Sequence, residues 1–147
     1  MIIRKGRELD INAIIYMGKA MFDESSLQAT AFDLFKCEQW FSKVLADGLV
    51  VVAEDKDKFI GMLGAGIGEP DFSSDKIAYD YLVYVIPSYR GTRVAERLVK
   101  VYILWAREMG IKVGNINIGI NVGVNTDRTE RFYRKLGFVR SGVNMRM

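Results

Sequence analysis

The stretch Val83-Tyr84-Val85-Ile86-Pro87-Ser88-Tyr89-Arg90-Gly91-Thr92-Arg93-Val94-Ala95 reads as a strand that enters a tight turn and passes directly into a helix. Such a helix start leaves its first backbone N–H groups without intrahelical partners and carries a partial positive charge. Both features favour a phosphate or pyrophosphate, and Arg90 and Arg93 add full charges beside them. An ordinary strand-to-helix turn with solvated arginines fits the same residues, so this stretch taken alone leaves both readings open.

Working outward, Val94, Leu98, Val101, Tyr102, Trp105 and Met109 recur at three- and four-residue steps, the apolar stripe of a long helix that Gly110 stops. Ile116, Ile118, Ile120, Val122 and Val124 then alternate with small or polar residues, the period of a strand. A short helix through Phe132, Tyr133 and Leu136 ends at Gly137, and residues 138–147 can supply a last strand. Thr126 or Asp127 can cap that helix, and Asp127 with Glu130 has capping-box spacing.

Upstream, residues 2–4 read as an opening strand. Ile11, Ile14, Ile15, Gly18 and Phe22 mark an amphipathic helix ending near Asp23. After the polar break Glu24-Ser25-Ser26, a second helix places Leu34, Cys37, Phe41, Val44 and Leu45 on one face, and Gly48 stops it. Residues 49–53 form a buried-type strand, residues 55–58 a charged hairpin turn, residues 59–68 the returning strand and residues 77–86 a third strand. Gly61, Gly64, Gly66 and Gly68 in the returning strand imply a bulge or a close approach by another backbone. The order is mixed α/β around one sheet, unlike a Rossmann chain.

Composition narrows the chemistry. The 147 residues fit one domain, and half are hydrophobic, as in globular proteins. The formal charge of +3 comes from scattered Lys and Arg, which suits an anionic ligand without calling for nucleic acid. The absence of histidine removes Ser-His and Cys-His mechanisms and the commonest metal ligand, so no metal is expected. Cys37 is the single cysteine and reads as a small core hydrophobe; Trp40 and Trp105 also read as core. With no apolar span of membrane length and no leader-like N-terminus, the expectation is a cytoplasmic protein with no membrane partner.

The second informative stretch is Asn125-Thr126-Asp127-Arg128-Thr129-Glu130-Arg131-Phe132-Tyr133-Arg134-Lys135-Leu136-Gly137-Phe138. By its spacing Tyr133 is either half-buried core or a hydroxyl that reaches a cleft beside the preceding strand. The arginines at 128, 131 and 134 with Lys135 read as the exposed face of a short helix or as contacts to a nucleotide's phosphate; a nucleic-acid partner ranks last.

In residues, order and separation, the two stretches resemble the GNAT superfamily of acetyl-CoA-dependent N-acetyltransferases. The family's phosphate signature, Arg/Gln-x-x-Gly-x-Gly/Ala after a strand ending in Val-x-Pro, stands here as Arg90-Gly91-Thr92-Arg93-Val94-Ala95 after Val85-Ile86-Pro87. Its later Phe-Tyr-x-x-Leu-Gly-Phe signature stands as Phe132 to Phe138. The resemblance implies a single domain over residues 1–147, of α/β (α+β) class. It further implies a mixed, mostly antiparallel sheet of about six to seven strands with about four helices. Strands over 77–86 and 113–124 would splay to admit the pantetheine arm of acetyl-CoA.

On that resemblance, backbone groups of Val83 and Val85 pair with the arm, and the amides of Gly91, Thr92, Arg93, Val94, Ala95 and Glu96, with Arg90, hold the pyrophosphate. Asn125 and Thr126 flank the pantetheine, and Tyr133 protonates the departing thiolate. The chain departs from the family pattern at three places: Arg93 replaces a glycine, Asn125 lies one residue early, and Asn121 stands where many members carry a glutamate base. Asp80 becomes the candidate base, with Glu24 next. The implied reaction is acetyl transfer to a primary amine by direct attack in a ternary complex; the alternative is a weakly active or inactive member acting as a binding module. Homodimers are common in families of this kind.

Overall fold

The computed structural model describes residues 1–120 and 125–147. Four strands, β1 (Ile2–Lys5), β2 (Leu49–Asp55), β3 (Lys58–Gly68) and β4 (Ile77–Val85), form one antiparallel sheet in chain order. Four α-helices surround it: α1 (Ile11–Glu24), α2 (Leu34–Asp47), α3 (Val94–Glu108) and α4 (Thr126–Lys135). No described helix is long and apolar enough to cross a membrane.

The alternation along β2 and β3 splits the core in two. Val51, Ala53, Ile60 and Leu63 face α3, where Val94, Leu98, Val99 and Tyr102 are essentially inaccessible to water. Val50, Val52 and Met62 face the other way, onto Ile14 and Met17 of α1 and Phe41 and Val44 of α2. Each such side chain contributes about 1.5–3 kcal/mol on burial, so the two layers fix the sheet between them. The α3 stripe runs through Val99 and Ala106, while Met109 is 57 % exposed, because the helix ends before it can fold onto the sheet. Gly110 and Gly137 close α3 and α4 with φ of +83° and +99°. Lys56 and Asp57 take φ of 50° and 61°, the paired left-handed residues of a tight hairpin.

The sheet is smaller than the expected six to seven strands: four are present among the described residues. Of the expected strand at 113–124, residues 113–115 form a 3-10 turn and Ile116 makes one parallel bridge to Ala78; residues 117–120 pair no further, and 121–124 lie outside the described residues. Among the described residues, 138–147 form no strand. A strand needs an edge to pair with, and the segment nearest in sequence is itself unpaired after Ile116. The expected cap of α4 is also corrected. Asn125, not Thr126 or Asp127, is the N-cap, in the left-handed region at φ 45° that asparagine tolerates better than most residues.

Candidate active site

The site begins as a fault in β4. Pairing passes from Ala65↔Asp80 to Gly64↔Leu82, leaving Tyr81 as an extra residue, a β-bulge. Before it, Ala78 turns its carbonyl away from β3, accepting from Asn117 N–H at 2.9 Å. After it, Ile86 N–H donates to Ile60 of β3 at 3.0 Å, so strand alternation turns the backbone groups of Val83 and Val85 outward instead. The segment after Ile116 does not follow. Gly119 N–H donates to the Asp80 carboxylate at 2.7 Å, which puts a side chain where a ladder bond would form. Tyr102 of α3 holds the same segment by donating its hydroxyl to Asn117 C=O at 2.7 Å. Among the described residues, nothing pairs with the edge of β4 beyond Asp80.

A cleft of about 610 Å³ fills that opening and runs around the edge of β4, from the α3/α4 face to the α1/α2 face. Ten of the expected positions line it with Asp80: Val83, Val85, Arg90, Gly91, Thr92, Arg93, Ala95, Glu96, Asn125 and Tyr133. Two do not. Val94 is 1 % exposed and packs into the core beneath α3, as the inward position of the first turn must. Thr126 faces a second depression between α4 and the C-terminal segment.

At the α3 end, Gly91 has φ +80°, a conformation that favours glycine, and a Cβ there would sit 3.3 Å from an Arg128 guanidinium nitrogen. Arg128 of α4 thus reaches over the turn, a contact that sequence reading left among several roles. The first amides of α3 have no partners within the helix, and Thr92 donates its hydroxyl to Tyr89 C=O, which tightens the turn. Such a turn can cradle an anion mainly through backbone, although Val94 N–H already donates to Thr92 Oγ1 at 3.4 Å. Arg93 does not crowd it: its side chain is 78 % exposed and turns to Glu96, with N–O 3.6 Å.

Arg90 is placed otherwise than the motif implied. Its Nη1 and Nη2 donate to both Glu24 carboxylate oxygens at 2.8 and 2.7 Å, and its Nε donates to Val85 C=O at 2.9 Å. The charge of Arg90 is therefore balanced by Glu24 rather than directed at the cradle. The same fork holds the Glu24 carboxyl below the usual range, the reverse of what a general base needs. Nothing in the sequence linked residues 24 and 90.

Asp80 differs. Burial pushes its carboxyl up to about 6, opposed in part by the Gly119 N–H. Tyr133, 6 % exposed at the inner end of α4, has its hydroxyl pushed above the usual phenol range by burial and by the Asp80 carboxylate. An acid that ionises near neutrality and a phenol that stays protonated thus face one cleft, an arrangement suited to moving protons in opposite directions. Asn121, which replaces the family's glutamate, lies outside the described residues.

On the α1/α2 face, Tyr81 packs edge-on to Trp40 with centroids 5.0 Å apart and touches Tyr79 in the same way. The strand glycines make room for these rings: a Cβ at Gly66 would lie 2.5 Å from Tyr81 Oη, and one at Gly68 would lie 3.2 Å from the Tyr79 ring. At Gly61 the expected approach of another backbone is present, since a Cβ there would lie 3.0 Å from the Tyr84 carbonyl oxygen; at Gly66 and Gly68 side chains approach instead, and the bulge lies in β4 opposite the glycines.

Known proteins agree with this architecture. Residues 46–140 match the family model described as Acetyltransferase (GNAT) domain. No curated protein matches the sequence. Among solved structures, the aminoglycoside 6'-N-acetyltransferase AAC(6')-Ig of Acinetobacter haemolyticus superposes with a TM-score of 0.77 at 17 % identity, covering 100 % of this chain and 97 % of that one. AAC(6')-Iy, solved with a bisubstrate analogue of CoA and acetylneamine, gives 0.79 at 16 % identity over 99 % of this chain and 95 % of that one. An acetyltransferase of Clostridium acetobutylicum solved with acetyl-CoA gives 0.75 at 17 % identity over 99 % and 94 %. At such identities the likeness carries the fold alone. The family model, however, spans more than half of the chain and runs through both motif stretches, and on that ground the chain belongs to the GNAT acetyltransferase family.

Proposed function

We propose that this chain transfers the acetyl group of acetyl-CoA to a primary amine by direct attack within a ternary complex. The observation that carries the reading is the continuous cleft, in which the backbone cradle at Gly91, the outward groups of Val83 and Val85, and the Asp80–Tyr133 pair follow one another around the edge of β4. The crystal complexes of family relatives with CoA derivatives support acetyl-CoA as the donor.

Acetyl-CoA supplies the activated acyl thioester; the protein positions it and moves protons. The amides of Gly91, Thr92, Arg93, Ala95 and Glu96, with Arg128, would hold the diphosphate. Val83 and Val85 extend β4 by pairing with the pantetheine amides, and an outward N–H of this pair polarises the thioester carbonyl. An alkylammonium has a pKa near about 10, so it must lose a proton before attack. Asp80, ionised above about pH 6, takes that proton directly or through one water. Tyr133 keeps its own proton and delivers it to the leaving sulfur.

Calorimetric titration with desulfo-CoA, followed by thiol release from acetyl-CoA on an amine panel, tests the reading. Saturable binding near one per chain with amine-dependent thiol release is expected. Absence of binding at millimolar ligand would end it.

A further inference from the structure

The mouth of the cleft on the α1/α2 face is lined by Met21, Tyr81, Leu82 and the Glu24–Arg90 pair. It lies across the β4 edge from the basic α3/α4 end, so it is the side from which an acceptor reaches the thioester. Its chemistry is apolar and aromatic, and its one carboxylate is already neutralised by a two-pronged ion pair. Over the whole cleft the described residues provide three carboxylates, Glu24, Asp80 and Glu96. Glu96 is bound to Arg93 and Lys100, away from the mouth. That leaves Asp80 for the reacting nitrogen and nothing for a second ammonium. Residues 121–124, Asn-Val-Gly-Val, add no acid by sequence.

Building on the acetyl-transfer reading, we infer that the acceptor is a monoamine carried on an apolar or aromatic body, and that polycationic amines are rejected. Each extra ammonium drawn into this mouth loses water without gaining a counter-charge and meets the Arg90 guanidinium. An aromatic or alkyl body instead covers Tyr81, which is 39 % exposed and braced by Trp40 and Tyr79. Tyr81 and Met21 are then specificity determinants rather than catalytic residues.

The test compares phenethylamine, methylamine, spermidine and neamine, by kcat/KM for thiol release and by calorimetric binding to the CoA-loaded protein. Phenethylamine is expected to exceed spermidine and neamine by about tenfold or more in kcat/KM, and to bind where they do not. Tyr81→Ala should lower kcat/KM for phenethylamine about tenfold while leaving methylamine within about twofold. Met21→Glu, which sets an unpaired carboxylate in the mouth, should narrow the phenethylamine-to-spermidine ratio by about tenfold. Equal or better use of spermidine or neamine overturns the inference, as does failure of phenethylamine to bind the CoA-loaded protein. So does a ratio unchanged in both variants, each with wild-type affinity for desulfo-CoA. Failure of desulfo-CoA to bind the wild type would instead defeat the acetyl-transfer reading itself.

Discussion

Replacing Asp80 by asparagine separates the hydrogen bond its carboxylate makes to Gly119 from the role of base proposed for it. Asparagine retains an oxygen that can accept the Gly119 N–H now held at 2.7 Å, so the segment after Ile116 stays tied to the β4 edge. It cannot take a proton. A positioned general base contributes about 10²–10⁴ in rate, so Asp80→Asn is expected to lower kcat about a hundredfold, roughly 2.7 kcal/mol of barrier. Desulfo-CoA affinity should stay within about twofold, because the cradle and the Val83 and Val85 groups are untouched. In the wild type the active carboxylate form accumulates as pH rises through about 6, so kcat/KM for the acceptor should carry a rising limb there, and the variant should lack it. The raised pKa also means that ionisation opposes folding: stability present below the unfolded pKa is lost as pH rises through about 6. The half-buried site reduces that penalty to about 1–2 kcal/mol, so at pH 8 Asp80→Asn should be at least as stable to urea as the wild type. Asp80→Ala is the contrast. It strands the Gly119 N–H at about 1–3 kcal/mol and should weaken both stability and CoA binding. Turnover by Asp80→Asn within about threefold of wild type with chemistry limiting, or persistence of the limb near pH 6, would refute the reasoning.

Three further outcomes are expected. Tyr133→Phe should reduce the rate of thiol release at least about tenfold in single-turnover stopped flow, with desulfo-CoA affinity unchanged, since only the proton donor is lost. Gly91→Ala forces an alanine to φ +80° and sets its methyl 3.3 Å from the Arg128 guanidinium, so calorimetry should find desulfo-CoA binding weakened about tenfold. Arg4 holds the buried Asp10 carboxyl down to about 2, so this pair stabilises the fold above the unfolded pKa and the contribution is lost as pH falls through about 2. Asp10→Asn should lower the urea midpoint at pH 7 by the equivalent of about 1–2 kcal/mol, after allowance for solvent at Arg4, and much less at pH 2.

The helices and the first four strands were legible because each is a regular period ended by a glycine or a polar break. The stripe from Val94 to Trp105 leaves little choice of face, whereas the unbroken apolar run from Leu49 to Ala53 marks a buried strand without saying which side chain enters which layer. The cradle at Gly91 was legible for a related reason: the motif is local, and its parts touch along the chain. What failed was pairing at a distance. Ile116 to Val124 has the period of a strand, yet period does not supply a partner: among the described residues of that stretch only Ile116 makes a bridge, and at Gly119 the Asp80 side chain takes the place of a ladder bond. The glycines of β3 signalled crowding without saying whose atoms approached; at Gly61 it is the Tyr84 carbonyl, while at Gly66 and Gly68 it is the rings of Tyr81 and Tyr79, beside a bulge that shifts β4 by one residue. Likewise the Arg90–Glu24 fork joins residues 66 positions apart, and no spacing rule connects them.

That fork changes where the anion site draws its charge. With Arg90 committed to Glu24 and Arg93 turned to solvent, the charged side chain placed over the Gly91 turn is Arg128, on α4. Tyr133 sits on the same short helix, five residues on, about 7.5 Å along the axis. On the proposed acetyl-transfer reading, a diphosphate bound at the Gly91 turn would pull on α4 through Arg128 and so set the height of Tyr133 in the cleft. Sequence relatives that keep the cradle glycine but lose this arginine would hold the cofactor without that registration. The pairing of the two residues on α4 also explains how the chain can use an arginine in place of the motif's central glycine. The cradle is closed by a neighbouring helix, and the side chain at 93 is free to leave through the open face of the turn.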